Sequence, residues 1–219
     1  MKGKSWVTGL AALLLCTSAA PLATGLQSAL AAETTPPAGT AIVGKAAPAF
    51  SLTDSNGKKH SLADANGKVL VLEWTNYDCP FVKRQYSTNA MQKLQKTYTD
   101  KGVVWFSVCS SAEGRQGNYP PAKINELMKQ NNSVPTAYLI DADGTTGKAY
   151  GALATPHMFI VNEKGVVVYA GGVDDNMSAD STEKVTTNYV QKALDETLAK
   201  KPVSTNATRA VGCSVKYKS

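Results

Sequence analysis

One cysteine of the chain stands where a strand pattern changes to a helix pattern. Cys79 follows the apolar run Val69 to Leu72 and directly precedes Pro80, a residue suited to the first turn of a helix. Its sulfur is therefore expected near backbone N–H groups that have no partner within the helix. Such a position favours the thiolate, the nucleophile of disulfide exchange and peroxide reduction, although Asp78 opposes it in part. The sequence predicts Cys79 as a catalytic thiol.

A second thiol lies close to the end of the chain. Cys213 belongs to the segment Ala210–Ser214, which we expect to be flexible, and Gly212 would let it approach another group closely. As a mobile thiol, Cys213 could resolve Cys79, so it is the second predicted catalytic residue. Two alternatives stay open: Cys213 forms a structural disulfide with Cys109, or it remains free.

The other metal-ligating side chains are assigned structural roles. Cys109 follows a buried strand, where a free cysteine most often packs as a small hydrophobe. His60 and His157 could join Cys79 in a metal site. However, a copper or zinc ion would then need ligands from distant segments, so histidines satisfied within the fold are the better interpretation. We predict neither a metal nor an organic cofactor.

The first residues have the composition of an export signal. Two lysines precede an uncharged, leucine-rich stretch, and Ala29-Leu30-Ala31 offers the small residues that a signal peptidase accepts. Residues 1–31 are predicted as a signal peptide and 32–42 as a flexible linker, which implies a periplasmic or secreted protein that meets a membrane only during export. Cys16 is expected to be an ordinary apolar residue of this signal, because Leu15 is too large for a lipoprotein site.

The remaining sequence has the composition of one globular domain. The chain has 219 residues, 43% of them hydrophobic and 18% charged, which is enough for a sizeable core. Its formal net charge is +6, and its basic residues are scattered rather than gathered in a patch with aromatic residues. This distribution argues against a nucleic-acid partner.

Alternating strand and helix patterns predict an α/β fold for residues 43–200. A hairpin around Asp54–Gly57 opens the domain, and the apolar run before Cys79 is a strand covered on both faces. Four-residue spacing predicts one helix from Val82 to Tyr98. A strand, a helix, a strand, a hairpin and a closing helix are expected at Val103–Val108, Ala122–Gln130, Val134–Ile140, Met158–Tyr169 and Val185–Leu198. Residues 201–219 are predicted as a mostly polar tail.

The segment from Trp74 to Val82 resembles the active-site segment of thioredoxin-like proteins, where a strand ending in tryptophan leads into Cys-x-x-Cys. In this chain Val82 replaces the second cysteine. The resemblance extends over residues 43–200 and is closest to the redoxin branch, which contains peroxiredoxins and thiol-specific antioxidant proteins. It implies a thioredoxin-like α/β sandwich with a central mixed sheet and flanking helices.

The same resemblance suggests substrate-binding residues. In this superfamily a cis-proline faces the active cysteine, and Thr155-Pro156 is similar to that site, with Pro135 as the second candidate. Thr155 would then offer backbone groups to a substrate. Trp74, together with Tyr77, would shape the cleft, and Thr75, whose hydroxyl lies near the active-site turn, completes the predicted substrate-binding set.

Two positions of the peroxiredoxin pattern differ in this chain. Leu72 and Asn76 stand where peroxiredoxins have a proline and a threonine before the peroxidatic cysteine. Thr75 lies one residue earlier and Arg84 lies nearby, so a peroxide-binding arrangement would have to be shifted. We therefore rank peroxide reduction below disulfide chemistry.

These observations lead to one main functional hypothesis and two alternatives. The main one is an exported thioredoxin-fold thiol-disulfide oxidoreductase with a single nucleophilic cysteine, resolved by Cys213 or an external thiol. Its partner would be a protein thiol or disulfide. The alternatives are a peroxiredoxin-like thiol peroxidase, whose substrate is a peroxide, and a non-catalytic module that binds a metal or a protein.

Overall fold

The computed structural model describes residues 42–218. The predicted signal peptide (residues 1–31), Cys16 and the predicted linker up to residue 41 lie outside the described residues. Within residues 42–218, none of the helices combines the length and apolar character needed to cross a membrane.

A mixed sheet of seven strands forms the centre of the domain. Residues 42–218 contain nine strands, which are in chain order β1 (Ser51–Asp54), β2 (Lys59–Ser61), β3 (Leu70–Trp74), β4 (Val104–Cys109), β5 (Ala137–Ile140), β6 (Ala154–Thr155), β7 (His157–Val161), β8 (Val167–Gly171) and β9 (Cys213–Ser214). The large sheet has the order β2-β1-β5-β4-β3-β7-β8, and β6 pairs separately with β9. The three central strands β3, β4 and β5 are parallel, and the strands outside them pair antiparallel.

Helices cover both faces of this sheet. They are α1 (Pro80–Ser87), α2 (Ala90–Thr99), α3 (Pro121–Gln130), α4 (Thr145–Tyr150) and α5 (Tyr189–Leu198). Successive side chains of β3 enter opposite apolar clusters: Leu70 and Leu72 belong to one, and Val71 to the other. This alternation is the consequence of the two-residue period of a strand. The predicted α/β sandwich with a mixed central sheet is confirmed.

The helix predicted from Val82 to Tyr98 is in fact two helices. The chain leaves α1 after Ser87, and Asn89 adopts a left-handed conformation with φ of 57° before α2 begins. Asparagine tolerates this conformation better than most residues. The hydroxyl group of Thr88 donates to the Arg84 carbonyl oxygen at 2.9 Å, so it competes with continued helix. The buried positions of both helices nevertheless follow the predicted spacing.

Two further element boundaries differ from prediction, and one helix was not predicted. Strand β5 begins only at Ala137, because Pro135 cannot donate a ladder hydrogen bond. The closing helix begins at Tyr189 after an Asn188 cap, which leaves Val185 outside it and exposed. Helix α4 was not predicted; the carboxylate of Asp141 accepts hydrogen bonds from two amides of its first turn.

The C-terminal tail lies against the domain, whereas we expected a flexible segment. The amide of Thr208 donates to Ala170 on β8 at 3.1 Å, and the Ala170 amide donates to Asn206 at 3.1 Å. Farther along, Cys213 is in register with Thr155 in the antiparallel pair of β6 and β9. Backbone groups on the exposed edges of β8 and β6 thus find partners in the tail, which explains why it is held there.

Candidate active site around Cys79

Cys79 occupies the N-cap position of α1, with Pro80 in the first turn. The turn that delivers it is held by Asn76, whose side-chain oxygen accepts from the amide of Asp78 at 3.0 Å and whose carbonyl accepts from the amide of Cys79 at 2.9 Å. The Asn76 amide also reaches the Gln116 carbonyl at 3.3 Å. These bonds place the Cys79 sulfur at the helix N-terminus, as the sequence predicts. The Cys79 side chain is fully buried.

The Cys79 sulfur is surrounded by groups that stabilise its negative charge. Burial raises the pKa of Cys79, but hydrogen bonds from the Cys213 thiol, the Thr155 side chain and the Val82 amide lower it, and the lowering contributions prevail. In the protonated form, the thiol donates to the Thr155 carbonyl oxygen at 3.0 Å. The carboxylate of Asp78 accepts from the Tyr119 hydroxyl at 2.7 Å. The Cys79 pKa therefore lies below that of an ordinary thiol, which favours a nucleophile.

Cys213 is brought to the same place by the pairing of β9 with β6. Burial raises the pKa of Cys213 to about 11, and hydrogen bonding to Cys79 and the charge of Cys79 act in the same direction. Both cysteines are free thiols in the structure, and Cys213 is partly exposed. The two pKa shifts have opposite signs, so one sulfur of the pair is prepared to attack and the other retains its proton.

The position of the missing second cysteine is filled by an apolar side chain. Val82 is 1% exposed and belongs to the same apolar cluster as Cys79. Its backbone amide contributes a hydrogen bond to the Cys79 sulfur. The thiol that the structure places near Cys79 belongs instead to the distant tail, where Cys213 pairs with Thr155.

The Thr155–Pro156 peptide bond is cis, as the resemblance implied. Among the described residues it is the one cis peptide, so Pro135 is not a second case. Thr155 contacts both cysteines: its carbonyl accepts from Cys79, and its hydroxyl donates weakly to the Cys213 carbonyl at 3.4 Å. The Thr155 backbone, predicted to face a substrate, is thus engaged by the chain's own tail.

The other two predicted substrate-binding residues are buried. Trp74 is fully inaccessible, and its indole N–H donates to the Ser110 hydroxyl at 2.9 Å. Thr75 is 1% exposed, and its amide donates to the Val108 carbonyl at 2.9 Å. Neither side chain has a surface in this structure that a substrate could contact, because both support the strand end that carries the active-site turn. In this structure both residues position that strand end, and their role in substrate binding stays a prediction.

Arg84, which lies near the shifted peroxide-binding arrangement considered above, is held in a buried ion pair. Its guanidinium group donates to a carboxylate oxygen of Asp174 at 2.8 Å, and Gln85 donates to the other oxygen at 2.7 Å. The side chains of Arg84 and Asp174 are 7% and 3% exposed. This buried ion pair connects α1 to the segment after β8. Because the Arg84 guanidinium group already binds Asp174, its charge is not available to a peroxide oxygen.

Cys109 and His60 have local partners, whereas the buried Nε2 of His157 has no hydrogen-bond partner among the described residues. Cys109 is buried, and its thiol donates to the Gly117 carbonyl at 3.4 Å. Asp54 and Asp64 hold the two ring nitrogens of His60, at 3.1 Å and 2.9 Å. His157 is fully buried, and burial lowers its pKa to about 3. Within residues 42–218, no group of three or more His, Cys, Asp or Glu residues is arranged to hold a metal ion.

Sequence analysis missed a buried carboxylate on β3. Glu73 is fully buried and accepts hydrogen bonds from Tyr86, Gln95, Trp105 and Ser107, at 3.0, 3.0, 2.9 and 3.1 Å. Burial raises the pKa of Glu73, and these hydrogen bonds oppose that shift. A charged residue within an otherwise apolar strand was the available signal. The network joins β3, β4, α1 and α2 beneath the active-site turn.

Comparison with known proteins gives consistent matches. The sequence profile of the Redoxin family matches residues 42–203. The thioredoxin-like protein YneN of Bacillus subtilis (strain 168) is 33% identical over 124 residues, 57% of this chain and 68% of that protein. Thiol-disulfide oxidoreductase ResA of Bacillus thuringiensis subsp. konkukian (strain 97-27) is 26% identical over 151 residues, 68% of this chain and 78% of that protein.

Among solved structures, an uncharacterized conserved protein from Geobacillus kaustophilus superimposes with a TM-score of 0.73 at 29% identity, covering 80% of this chain and 92% of that one. A protein of Sinorhizobium meliloti 1021, SMc02350, gives a TM-score of 0.72 at 27% identity, covering 81% and 95%. The profile match spans well over half of the chain, from the first described residue through α5. The chain therefore belongs to the Redoxin family of the thioredoxin-like superfamily.

Proposed function

We propose that this protein is an exported thiol-disulfide oxidoreductase whose redox couple is Cys79 and Cys213. The observation that carries the proposal is the position of both cysteines at Thr155, whose carbonyl oxygen accepts from the Cys79 thiol at 3.0 Å and which pairs in register with Cys213. The opposite pKa shifts of the two thiols agree with it. Relatives named as thioredoxin-like protein and thiol-disulfide oxidoreductase support the same chemistry. The predicted signal peptide supports export, which sets the reaction in an oxidising compartment.

The first step is attack on a disulfide of a partner protein. The Cys79 thiolate attacks one sulfur, the partner S–S bond breaks, and the second partner sulfur leaves with the electron pair and takes up a proton. Cys79 is now joined to the partner in a mixed disulfide. The Thr155 backbone and the Val82 amide lie beside the reacting sulfur and hold its position.

The second step resolves the mixed disulfide. Cys213 gives up its proton, and its sulfur attacks the Cys79 sulfur, so the Cys79–partner bond breaks and the partner thiolate leaves and is protonated. The partner has gained two electrons, and Cys79 and Cys213 have become a disulfide. An external thiol donor returns the pair to the dithiol form, and the same steps run in reverse when the pair oxidises a partner dithiol.

Peroxide reduction is the second candidate, because it would use the same sulfur. The Arg84–Asp174 pair argues against it, since the cation that would stabilise the peroxide is already engaged. A non-catalytic binding module would not require the two thiols to have opposite pKa shifts. We therefore place both below disulfide exchange.

The test is trapping of the mixed disulfide. The reduced full chain is treated with oxidised glutathione, and its thiols are mapped by mass spectrometry. We expect the Cys213→Ser variant to accumulate glutathione on Cys79, the wild type to proceed to an internal disulfide, and Cys79→Ser to form neither. Cys109→Ser is the matched control and should behave as wild type. An unreactive Cys79 in every variant would refute the proposal, and reaction with hydrogen peroxide alone would favour the peroxidase.

A further inference from the structure

Resting on the proposed function, a further inference concerns the segment that occupies the Thr155 edge. Residues 213 and 214 lie antiparallel to residues 154 and 155, with Cys213 opposite Thr155 and Ser214 opposite Ala154. The amide of Val215 extends this pairing by donating to the Leu153 carbonyl at 3.0 Å. In this register Cys213 lies opposite Thr155, whose carbonyl oxygen accepts from the Cys79 thiol at 3.0 Å. The edge therefore already holds an extended, cysteine-bearing peptide.

The residue before that cysteine is constrained by space. A Cβ atom on Gly212 would overlap the Thr155 carbonyl oxygen and would lie 2.6 Å from its carbonyl carbon and 3.2 Å from the Pro156 nitrogen. These are backbone atoms next to a proline, so they cannot move aside as a flexible side chain would. Gly212 does not have a positive φ, so the requirement is absence of a Cβ rather than an unusual conformation.

The tail is held less firmly than the edge that it covers. Residues 201–218 are all described by the structure, and each is exposed or only partly buried. In contrast, Thr155 is 3% exposed and Ala154 is 7% exposed. Segments with few buried groups open at low free-energy cost. Detachment of the tail from β6 would therefore expose fewer buried side chains than opening of β6 itself, although it breaks the hydrogen bond from the Tyr217 hydroxyl to the Ala152 carbonyl.

We propose that the physiological partner presents an extended segment in which glycine immediately precedes the reactive cysteine, and that this segment replaces residues 212–215 on strand β6. The tail is then a built-in competitor that has the same local sequence feature as the partner. After the partner has formed its mixed disulfide with Cys79, the returning tail brings Cys213 to the shared sulfur and displaces the partner.

The test uses peptides that copy the tail. Three peptides of the sequence of residues 208–217 carry glycine, alanine or valine before the cysteine, and each cysteine is blocked as a thionitrobenzoate disulfide. The Cys79 thiolate of the full-length Cys213→Ser chain attacks the peptide sulfur, the S–S bond breaks, and thionitrobenzoate leaves as a coloured thiolate. We expect the glycine peptide to react about tenfold faster or more than the alanine peptide, the discrimination that one methyl group produces in a fixed site.

Two controls separate this inference from the proposed function. The three peptides should react at equal rates with free glutathione, which measures their intrinsic reactivity. Dithiobis(nitrobenzoate) carries no peptide, so its reaction at Cys79 measures the reactivity of this thiol without any contribution from peptide binding at β6. If Cys79 reacts with this small disulfide but the alanine peptide is as fast as the glycine peptide, the inference about the partner is wrong. If Cys79 reacts with none of the probes, the oxidoreductase proposal itself fails.

A second variant tests displacement of the tail. Gly212→Ala in the full chain should detach the tail, so hydrogen exchange of the amides of residues 209–217 should rise and the glycine peptide should react faster. Ser214→Ala is the matched control, because Ser214 is exposed and belongs to the same strand. Unchanged exchange and unchanged peptide rates in Gly212→Ala would contradict the proposed competition between tail and partner.

Discussion

Cys213 lies opposite Thr155 in the pairing of β9 with β6, and the Thr155 carbonyl oxygen, next to the cis peptide bond, accepts from the Cys79 thiol at 3.0 Å. A cysteine in the C-terminal tail thus takes the place that a cysteine of the helix would have in a Cys-x-x-Cys motif. The tail reaches it through backbone pairing with β6, and the absence of a side chain at Gly212 makes the close approach possible.

The pH dependence of Cys79 alkylation should respond to the Cys213 thiol. This thiol is a donor that lowers the pKa of Cys79, so Cys213→Ala should raise that pKa and move the midpoint of alkylation to higher pH. Cys213→Ser keeps a hydroxyl donor and should lie closer to the wild type. Alkylation by iodoacetamide across pH, followed by mass spectrometry, measures the midpoints. An alanine variant with an unchanged or lower midpoint would show that this hydrogen bond does not control the thiolate.

A cysteine introduced at Val82 should resolve the mixed disulfide of Cys79 in place of Cys213. The Val82 amide contacts the Cys79 sulfur, so a thiol on this residue lies on the same helix turn as Cys79. We expect Val82→Cys to restore rapid release of glutathione from Cys79 in the Cys213→Ser chain. Val82→Ser in the same background is the control, since it introduces a polar side chain without a thiol. Slow release from both double variants would show that α1 does not present the introduced sulfur correctly.

The buried Glu73 should make stability depend on pH. Burial raises its pKa in the folded protein above the ordinary value of 4.5, so the folded state retains a proton that the unfolded chain has lost. The contribution of this proton is fully present below the unfolded pKa and is lost as pH rises through the folded pKa. The free energy of unfolding of the wild type should therefore fall as the pH rises from the unfolded pKa of Glu73 to its folded pKa.

Glu73→Gln should lack this contribution, whatever its stability at a single pH, because glutamine does not titrate. Urea unfolding at a series of pH values measures the slope in both proteins. Parallel curves for wild type and variant would mean that Glu73 has the same pKa in the folded and unfolded chain.

Loss of the Arg84–Asp174 ion pair should destabilise the fold. Asp174→Ala leaves the buried guanidinium group of Arg84 and the amide of Gln85 without their shared acceptor. We expect a loss of about 3 kcal/mol in the free energy of unfolding, as is common when one partner of a buried pair is removed. Urea unfolding provides the measurement.

The exposed Lys96–Asp100 pair offers the matched control for that ion pair. Its atoms are 3.0 Å apart, but both side chains are more than half exposed. Lys96→Ala should therefore change stability by less than about 1 kcal/mol. Similar losses in Asp174→Ala and Lys96→Ala would show that the buried pair contributes no more than a surface pair.

Local features of the sequence were sufficient to predict much of the site. The change from an apolar strand to a helix at Cys79–Pro80 depends on a few adjacent residues, and the resemblance around Thr155-Pro156 located the cis peptide. The break at Asn89 was missed because the spacing of buried residues continues through it. The partners of Trp74 and Arg84 could not be predicted, since Ser110 and Asp174 are distant in sequence. The pairing of the tail with β6 is a non-local backbone contact that side-chain periodicity does not encode.

The most direct test is peptide mapping of the disulfide that forms when the full chain equilibrates in a glutathione redox buffer. The geometry predicts a single cross-link between Cys79 and Cys213, with Cys109 recovered as a free thiol. It also predicts that Cys79→Ser abolishes the cross-link without creating another. A disulfide between Cys109 and Cys213 that persists in Cys79→Ser would contradict the assignment of Cys213 as the resolving thiol.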